Sequence, residues 1–585
     1  MAEVQVKVKH QGKVYEVTVN TESIGEELKY QLFSLTNVEP ENQKILAKKL
    51  IKDDTPLSSL GLKSGNTITL IGNPAADLVF EAPKERTKFR EDMTEAELAQ
   101  QEDAIPAGLQ NTGNTCYANA TLQTLRSIPE LQQELQRYTA SAPSASSASS
   151  LFSAEQLAQH GIGGLGSGND LTSALRDLYQ QMSGTQQGFP PIMFLTTLRQ
   201  QFPQFAERAK SGHGYAQQDA EEVWSQLVHV LQGSLKSSDD NQDGPKSWVD
   251  KFMGGTFEVK TTCDDAPEEE ATVNTETFTD LKCNIASDTN HLREGIKIAL
   301  NEKIEKNSPS LGREATYSRT SRIARLPKYL PIHLIRFFWR KDTKKKAKIL
   351  RKVTFQHEID LSEFCTDELR KKIVPVRDQV REVRKEEEDV ERAKKRQKRM
   401  RKEMEESVNG ESSVRNDEPL QKKKDKEKER ELKAKGPASE GELDGEKKAA
   451  GGTQDTEMGG TETFKTDEEI EKERAEQILA AKKELLSLVH EDMKKDSTAG
   501  QTGLYELRGV VTHQGSSADS GHYTAYVKKT APAGKAEDGK WWWFNDEKVQ
   551  EVESEKIEAL AGGGETHSAL ILLYRAVELP EVKEP

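Results

Sequence analysis

Of the four cysteines in the 585 residues, Cys116 stands in the setting best suited to nucleophilic chemistry. It follows a run of turn formers (Asn111, Thr112, Gly113, Asn114) in the stretch GLQNTGNTCYANA, residues 108–120. It also opens a helical pattern in which Leu122, Leu125 and Ile128 fall near one face. A thiol at a helix N-terminus meets unpaired backbone N–H groups and the positive end of the helix dipole. Both favour the thiolate, which is the nucleophilic form. The alternative is an inert buried cysteine, the common fate of a lone thiol; the polar residues on either side weigh against it. Far downstream, His522 opens the strand pattern GHYTAYVK (521–528), joined by the small-residue loop QGSSADS to YELRGVVTH (505–513). WWWFND (541–546) makes a third strand ending in Asn545 and Asp546, and ALILLYRA (569–576) a fourth. Antiparallel neighbours would bring His522 beside Asn545 or Asp546. Either would hold the imidazole in one tautomer, able to deprotonate a thiol. An exposed histidine at a strand end is the alternative.

Other candidates sit between these two ends. In HGYAQQDAEEVWSQLVHVL (213–231), Asp219, Glu221 and Glu222 occupy the first turn of a helix with Val223, Leu227 and Val230 as its apolar stripe. Those carboxylates suit helix capping, or a site for a basic peptide, since arginine pairs bidentately with carboxylate. Residues 256–353 hold short alternating segments, and Leu330–Trp339 is apolar enough for a central strand, with His333 read as a packed core histidine. Cys263 and Cys283 lie singly and no CxxC pair occurs, so the spacing excludes a four-cysteine zinc site. No metal and no cofactor are expected.

The elements around these residues divide the chain. In residues 1–73, Val4, Val6 and Val8 alternate with polar residues, Gln11-Gly12 turns, and Tyr15, Val17 and Val19 alternate again. A helix is predicted over 23–34 with Ile24, Leu28 and Leu32 on one stripe, then short strands at Ile45–Ala47 and Thr67–Ile71. Residues 74–104 read as a linker with a short helix near 95–101, and residues 138–168, rich in Ser, Ala and Gly, as loop. From 370 to 500 the chain is mostly charge, predicting solvated single helices and disorder. Near its end, Thr466 and Glu469 form a capping box for a helix reaching about Met493. The basic run KKRQKRMRK (394–402) fits either a nuclear import signal or a solvated helix face.

Composition narrows the function classes. The net charge of −14 disfavours nucleic acid and suits a partner carrying basic groups. Four cysteines make no disulfide framework, which points to a reducing compartment. No apolar run is long enough to cross a membrane and the start lacks a signal-peptide core. A soluble intracellular protein is expected, cytoplasmic, with the nucleus open through the basic run.

The order β-β-α-β-β in residues 1–73, with QKIL and LSSLGLKSGNTITL, resembles ubiquitin. Here the chain runs on through Ile71-Gly72-Asn73-Pro74, so this copy cannot be conjugated through that end and reads as a fused docking module. Leu46 lies where such domains present an apolar recognition surface; a core position is the alternative. The order Cys, His, Asn/Asp is that of papain-like proteases. GLQNTGNTCYANATLQTL resembles the Cys box of the ubiquitin-specific proteases, THQGSSADSGHYTAYVK with WWWFNDEKV their His box, and GYAQQDAEEVW the box between them. With its head, the chain is similar to the proteasome-associated member of that family. The resemblance implies an α+β chain, with a ubiquitin-like β-grasp domain (1–73) and a papain-like fingers-palm-thumb catalytic domain (105–577) interrupted by the 370–500 insertion, before a tail at 578–585. It implies Cys116 as nucleophile, His522 as general base, Asn545 as the residue orienting it with Asp546 as second candidate, and Asn111 as oxyanion donor beside the Cys116 N–H. Asp219, Gln218, Gly521 and Tyr523 become contacts for the ubiquitin tail. The implied partners are ubiquitin, polyubiquitinated proteins and the proteasome regulatory particle, with no nucleic acid and no membrane. Two other classes stay open: a non-catalytic ubiquitin-binding adaptor of the proteasome, and a Cys-His hydrolase of small molecules.

Overall fold

The computed structural model describes residues 3–580 apart from 37, 48, 73–89, 102–103, 140–169, 210–213, 238–244, 341–344, 409–466, 518–519 and 532–536. The Ser/Ala- and Gly-rich stretch from 140 onward and Thr466 of the expected capping box fall outside the described residues. Two compact units result, Met1–Met93 and Thr94–Pro585.

In the first unit, period-two alternation places Val6, Val8, Val17 and Val19 on one buried face. The sheet runs in the order Lys13–Asn20, Glu3–His10, Thr67–Ile71, Lys44–Leu46, Leu50–Ile51. The first strand pairs in parallel with the last, Val8 opposite Ile68. The helix spans Gly25–Thr36, starting later than predicted because Ile24 is used in a bridge to Pro56. It buries Leu28 and Leu32 against the sheet. Leu50–Ile51 is a fifth strand too short to announce itself in the sequence. Its pairing decides the position of Leu46: Ile45 is fully buried, while Leu46 and its partner Leu50 each stay 48% exposed on the outer face.

The second unit begins inside the segment read as linker. Thr94 caps the helix Glu95–Ala99 through a capping box with Glu97, and Gln186 Nε2 donates to the Leu98 carbonyl at 2.8 Å. A helical lobe holds Cys116–Arg126, Pro129–Arg137, Leu171–Met182, Ile192–Gln201 and Ala220–Ser234. It packs on a large sheet ordered Lys548–Val552, Trp541–Asn545, Ser520–Lys528, Leu504–Ser517, Ser568–Ala576, Tyr329–Ile335, Leu281–Asn284. A separate antiparallel sheet projects from it: Thr272–Phe278, Gly255–Cys263, Glu314–Arg325, Asn301–Asn307. These are the thumb, palm and fingers that the resemblance implied. At the fingertip a small cluster of Cys263, Ala315 and Tyr317 is laced by Glu269, which accepts from Ser308 (2.6 Å), Tyr317 (2.7 Å) and Ser310.

The single strand expected over Leu330–Trp339 breaks at Arg336. That side chain is 1% exposed and donates to the carbonyls of Ile349, Arg351, Ala561 and Ala569. Beyond it Phe337–Arg340 forms its own hairpin with Lys345–Lys348.

The charged insertion is the larger correction. Residues 370–383 do not stand free in solvent. The helix Asp367–Val408 sinks Ile373, Val376 and Val380 into the core that also holds Leu485, Val489 and Met493 of the returning segment. Arg384 bridges Glu358 (2.9 Å) and Glu506 (2.8 Å), and Lys482 pairs with Glu387 at 2.6 Å across to the helix Asp467–Leu488. The apolar stripe IVPVRDQVREV was hidden by the density of charge around it. The basic run 394–402 lies on the exposed outer part of this helix.

Candidate active site

The turn before Cys116 is built by Asn111, whose Oδ1 accepts the N–H groups of Gly113 (3.0 Å) and Thr115 (3.2 Å). Thr115 Oγ1 accepts from the Thr112 N–H at 3.1 Å, and Asn114 sits at φ +53°. This folds the chain sharply enough to start a helix at Cys116. The Ala118 and Asn119 N–H groups already bond the Thr115 carbonyl, while those of Cys116 and Tyr117 face the Cys116 sulfur. The sulfur also takes the N–H of Tyr523, the residue after His522. Folding thus carries the thiol to the strand edge where the imidazole stands. Burial pushes the thiol up to about 11; the three N–H groups pull it down, and the Asp546 carboxylate adds to the rise. The N–H groups at the helix start favour the thiolate as expected, but Cys116 is only 3% exposed and desolvation is the larger effect.

His522, on Ser520–Lys528, is bonded through Nε2 to Asn545 Oδ1 on the adjacent strand at 2.6 Å. A carbonyl oxygen only accepts, so Nε2 carries the proton and Nδ1 keeps its lone pair. Asp546 does not share this contact, which corrects its candidacy as the orienting group. It lies past the strand end at φ +52°, and its carboxylate accepts from Asn111 Nδ2 (2.9 Å) and Asn119 Nδ2 (2.8 Å). The two adjacent residues thus serve opposite sides of the site, Asn545 the imidazole and Asp546 the asparagine amides. Asn119 was missed in the sequence, although an asparagine on the buried face of a helix, here 2% exposed, is itself a signal that a buried partner exists.

The residues expected along the ubiquitin tail are not equivalent. Gly521 sits at φ +131°, where a Cβ would strike the Gln514 carbonyl. Tyr523 turns its ring into the core against His513 and leaves only its backbone at the site, so its side chain is no surface contact. Gln218 donates to the Gln204 carbonyl at 3.1 Å. Asp219 does both things the sequence allowed. It caps Ala220–Ser234 by accepting the Glu221 N–H (3.0 Å), and it lines a cavity of about 180 Å³ with Glu221, His333, Phe337 and Lys346. Burial raises its carboxyl above the usual range. His333 is a core histidine, edge-on to Trp224, and burial keeps it neutral. The loop 514–520 is mostly strand: Gln514 pairs with His522 and Ser517 with Ser520. Among the described residues no group of three or more His, Cys, Asp or Glu is placed to hold a metal.

Comparison with known proteins matches residues 107–574 to the family described as ubiquitin carboxyl-terminal hydrolase and residues 4–75 to the ubiquitin family. The chain is 36% identical to ubiquitin carboxyl-terminal hydrolase 6 of Schizosaccharomyces pombe, over 98% of this chain and 99% of that one. It is 32% identical to ubiquitin carboxyl-terminal hydrolase 7 of Arabidopsis thaliana, over 98% of each. It is 28% identical to ubiquitin carboxyl-terminal hydrolase 14 of Caenorhabditis elegans, over 99% of this chain and 94% of that one. A cysteine beside a histidine–asparagine pair, a thumb, palm and fingers around them, and these likenesses over nearly the whole chain lead to one conclusion: the protein belongs to the ubiquitin carboxyl-terminal hydrolase family and is a cysteine-type deubiquitinating enzyme with a ubiquitin-like domain at its N-terminus.

Proposed function

We propose that Cys116, His522 and Asn545 carry out hydrolysis of the isopeptide bond after the C-terminal glycine of ubiquitin, on conjugates held at the proteasome. The observation that carries the reading is the 2.6 Å His522–Asn545 bond, one residue from the N–H that Tyr523 gives to the Cys116 sulfur. His522 Nδ1 takes the thiol proton as the sulfur attacks the glycine carbonyl. The oxyanion is met by the Cys116 N–H and by the second hydrogen of the Asn111 amide, whose first is held by Asp546. His522 then returns its proton to the departing lysine amine. Water, deprotonated by the same imidazole, releases ubiquitin from the thioester. With burial pushing the Cys116 thiol up to about 11, proton transfer to His522 accompanies the attack in this reading. Asp219, with Glu221 behind it, is assigned to a basic side chain of the tail, which a desolvated carboxylate pair favours. Tyr523 contributes backbone only.

The test is incubation with ubiquitin bearing a C-terminal electrophile. One adduct per chain, mapped to Cys116, is expected, since Cys263, Cys283 and Cys365 are also buried and lie off the site. An adduct elsewhere, or none, would overturn the assignment.

The ubiquitin-like unit is assigned to proteasome docking through its exposed Leu46, Leu50 and Ile71. Removing residues 1–73 is expected to weaken retention on purified proteasomes while leaving cleavage of a ubiquitin–dye amide within about twofold. Equal retention of both forms would contradict it. Four unpaired thiols suit a reducing compartment, so a cytoplasmic and nuclear location is part of the proposal.

A further inference from the structure

The turn that follows Asn545 is gripped from two sides. The Leu109 N–H donates to the Asp546 carbonyl at 3.0 Å. Leu109 is itself paired with Phe189 in a parallel bridge, the Phe189 N–H on the Gly108 carbonyl and the Gln110 N–H on the Phe189 carbonyl, both at 2.9 Å. Gln110 Nε2 adds a bond to the Gly188 carbonyl at 2.9 Å. The Asp546–Glu547 peptide closes onto the two glycines of this small ladder. A Cβ on Gly108 would lie 2.5 Å from the Glu547 carbonyl oxygen, and one on Gly188 would lie 2.5 Å from the Glu547 Cβ. Neither glycine is required by a left-handed backbone; each is required by space. Gly184, in the same segment, meets nothing nearer than the Gln181 carbonyl at 3.5 Å.

We propose that Gly108 and Gly188 are positioning residues for the reaction. They let the 108–110 and 188–189 segments close on the turn, and that closure holds Asp546 at φ +52°, where its carboxylate reaches Asn111 and Asn119. A methyl group at 188 pushes the turn outward, and the Asn111 amide loses the partner that aims it. Gly188 lies outside every motif carrying the catalytic side chains, and it touches neither substrate nor thiol. The inference rests on the reading of Asn111 as oxyanion donor.

The experiment compares full-length single and double variants on ubiquitin–dye amide. Gly188→Ala is expected to lower kcat roughly 10²-fold, the scale of a misplacement near 1 Å, with KM little changed. Gly184→Ala is expected to behave as the parent. Because the obstacle at 188 is the Glu547 side chain, Gly188→Ala combined with Glu547→Gly should recover most of kcat. Gly108→Ala, whose obstacle is backbone, should not be rescued by Glu547→Gly. Adduct formation at Cys116 should persist in Gly188→Ala, since thiol and imidazole are untouched. Unchanged kcat in Gly188→Ala overturns the inference, as does a loss that tracks melting temperature and resists Glu547→Gly. Turnover surviving in Cys116→Ala would instead strike the triad reading on which it stands.

Discussion

Cys116→Ala is expected to reduce turnover of any ubiquitin conjugate by about 10⁶-fold, to background, the scale seen when a nucleophile is deleted from a hydrolytic triad. On the proposed mechanism every covalent step passes through this sulfur, and of the four cysteines it is Cys116 that takes the Tyr523 N–H, next to His522. Folding should be little affected: Cys116 packs among Tyr117, Ala120 and Tyr523, and exchanging sulfur for hydrogen leaves a small void. Affinity for ubiquitin should survive, since the carboxylates proposed to hold its tail, Asp219 and Glu221, are left in place. The measurement is steady-state cleavage of a ubiquitin–dye amide beside ubiquitin binding by calorimetry. Residual turnover above about one part in a thousand would point to a different nucleophile.

The second large effect separates the neighbours Asn545 and Asp546. Asp546→Asn is expected to lower kcat about 10²–10³-fold, the range for loss of one oxyanion donor. Its carboxylate is the acceptor that aims the Asn111 amide, and an amide in its place offers only one acceptor oxygen for two donors. The same substitution should do something opposite to the thiol. The Asp546 carboxylate raises the Cys116 pKa, so removing its charge lowers it and increases the thiolate fraction at any fixed pH. Alkylation of Cys116 by iodoacetamide should therefore become faster, and its pH profile should move to lower pH, while catalysis becomes slower. Asn545→Ala should instead release the imidazole and change the pH profile of kcat/KM, because it removes the only bond fixing the tautomer of His522 among those the described residues make. Parallel changes in alkylation and turnover in Asp546→Asn would sink this division of labour.

The parts legible in the sequence were those governed by local pattern. Alternation in Val4–Val8 and Tyr15–Val19, the turn residues before Cys116, and the small-residue hairpin before His522 each report a backbone choice made within a few residues. What stayed hidden depends on neighbours distant in the chain. Leu46 could be core or surface until a two-residue strand, Leu50–Ile51, paired with it. Charge density masked the heptad-like spacing of Ile373, Val376 and Val380, since burial of a helix foot is decided by the sheet beside it. In the site, Cys, His and Asn were readable as types in order, but the roles of Asn545 and Asp546 were not. A left-handed residue at 546 sends two adjacent side chains to opposite sides, and nothing in the letters ND announces that. The thiol was misjudged for a similar reason: helix position is written locally, whereas desolvation is imposed by the whole fold.

That sulfur, protonated and almost wholly enclosed, has a bearing on chemistry other than peptide cleavage. Peroxide oxidises thiolates, and it does so where a small oxidant can reach them. Burial of Cys116 in the resting enzyme is therefore expected to slow sulfenic acid formation, which a sulfenic-acid probe after peroxide treatment checks. On the proposed mechanism, damage would fall on molecules caught in mid-reaction, at the moment His522 has taken the proton.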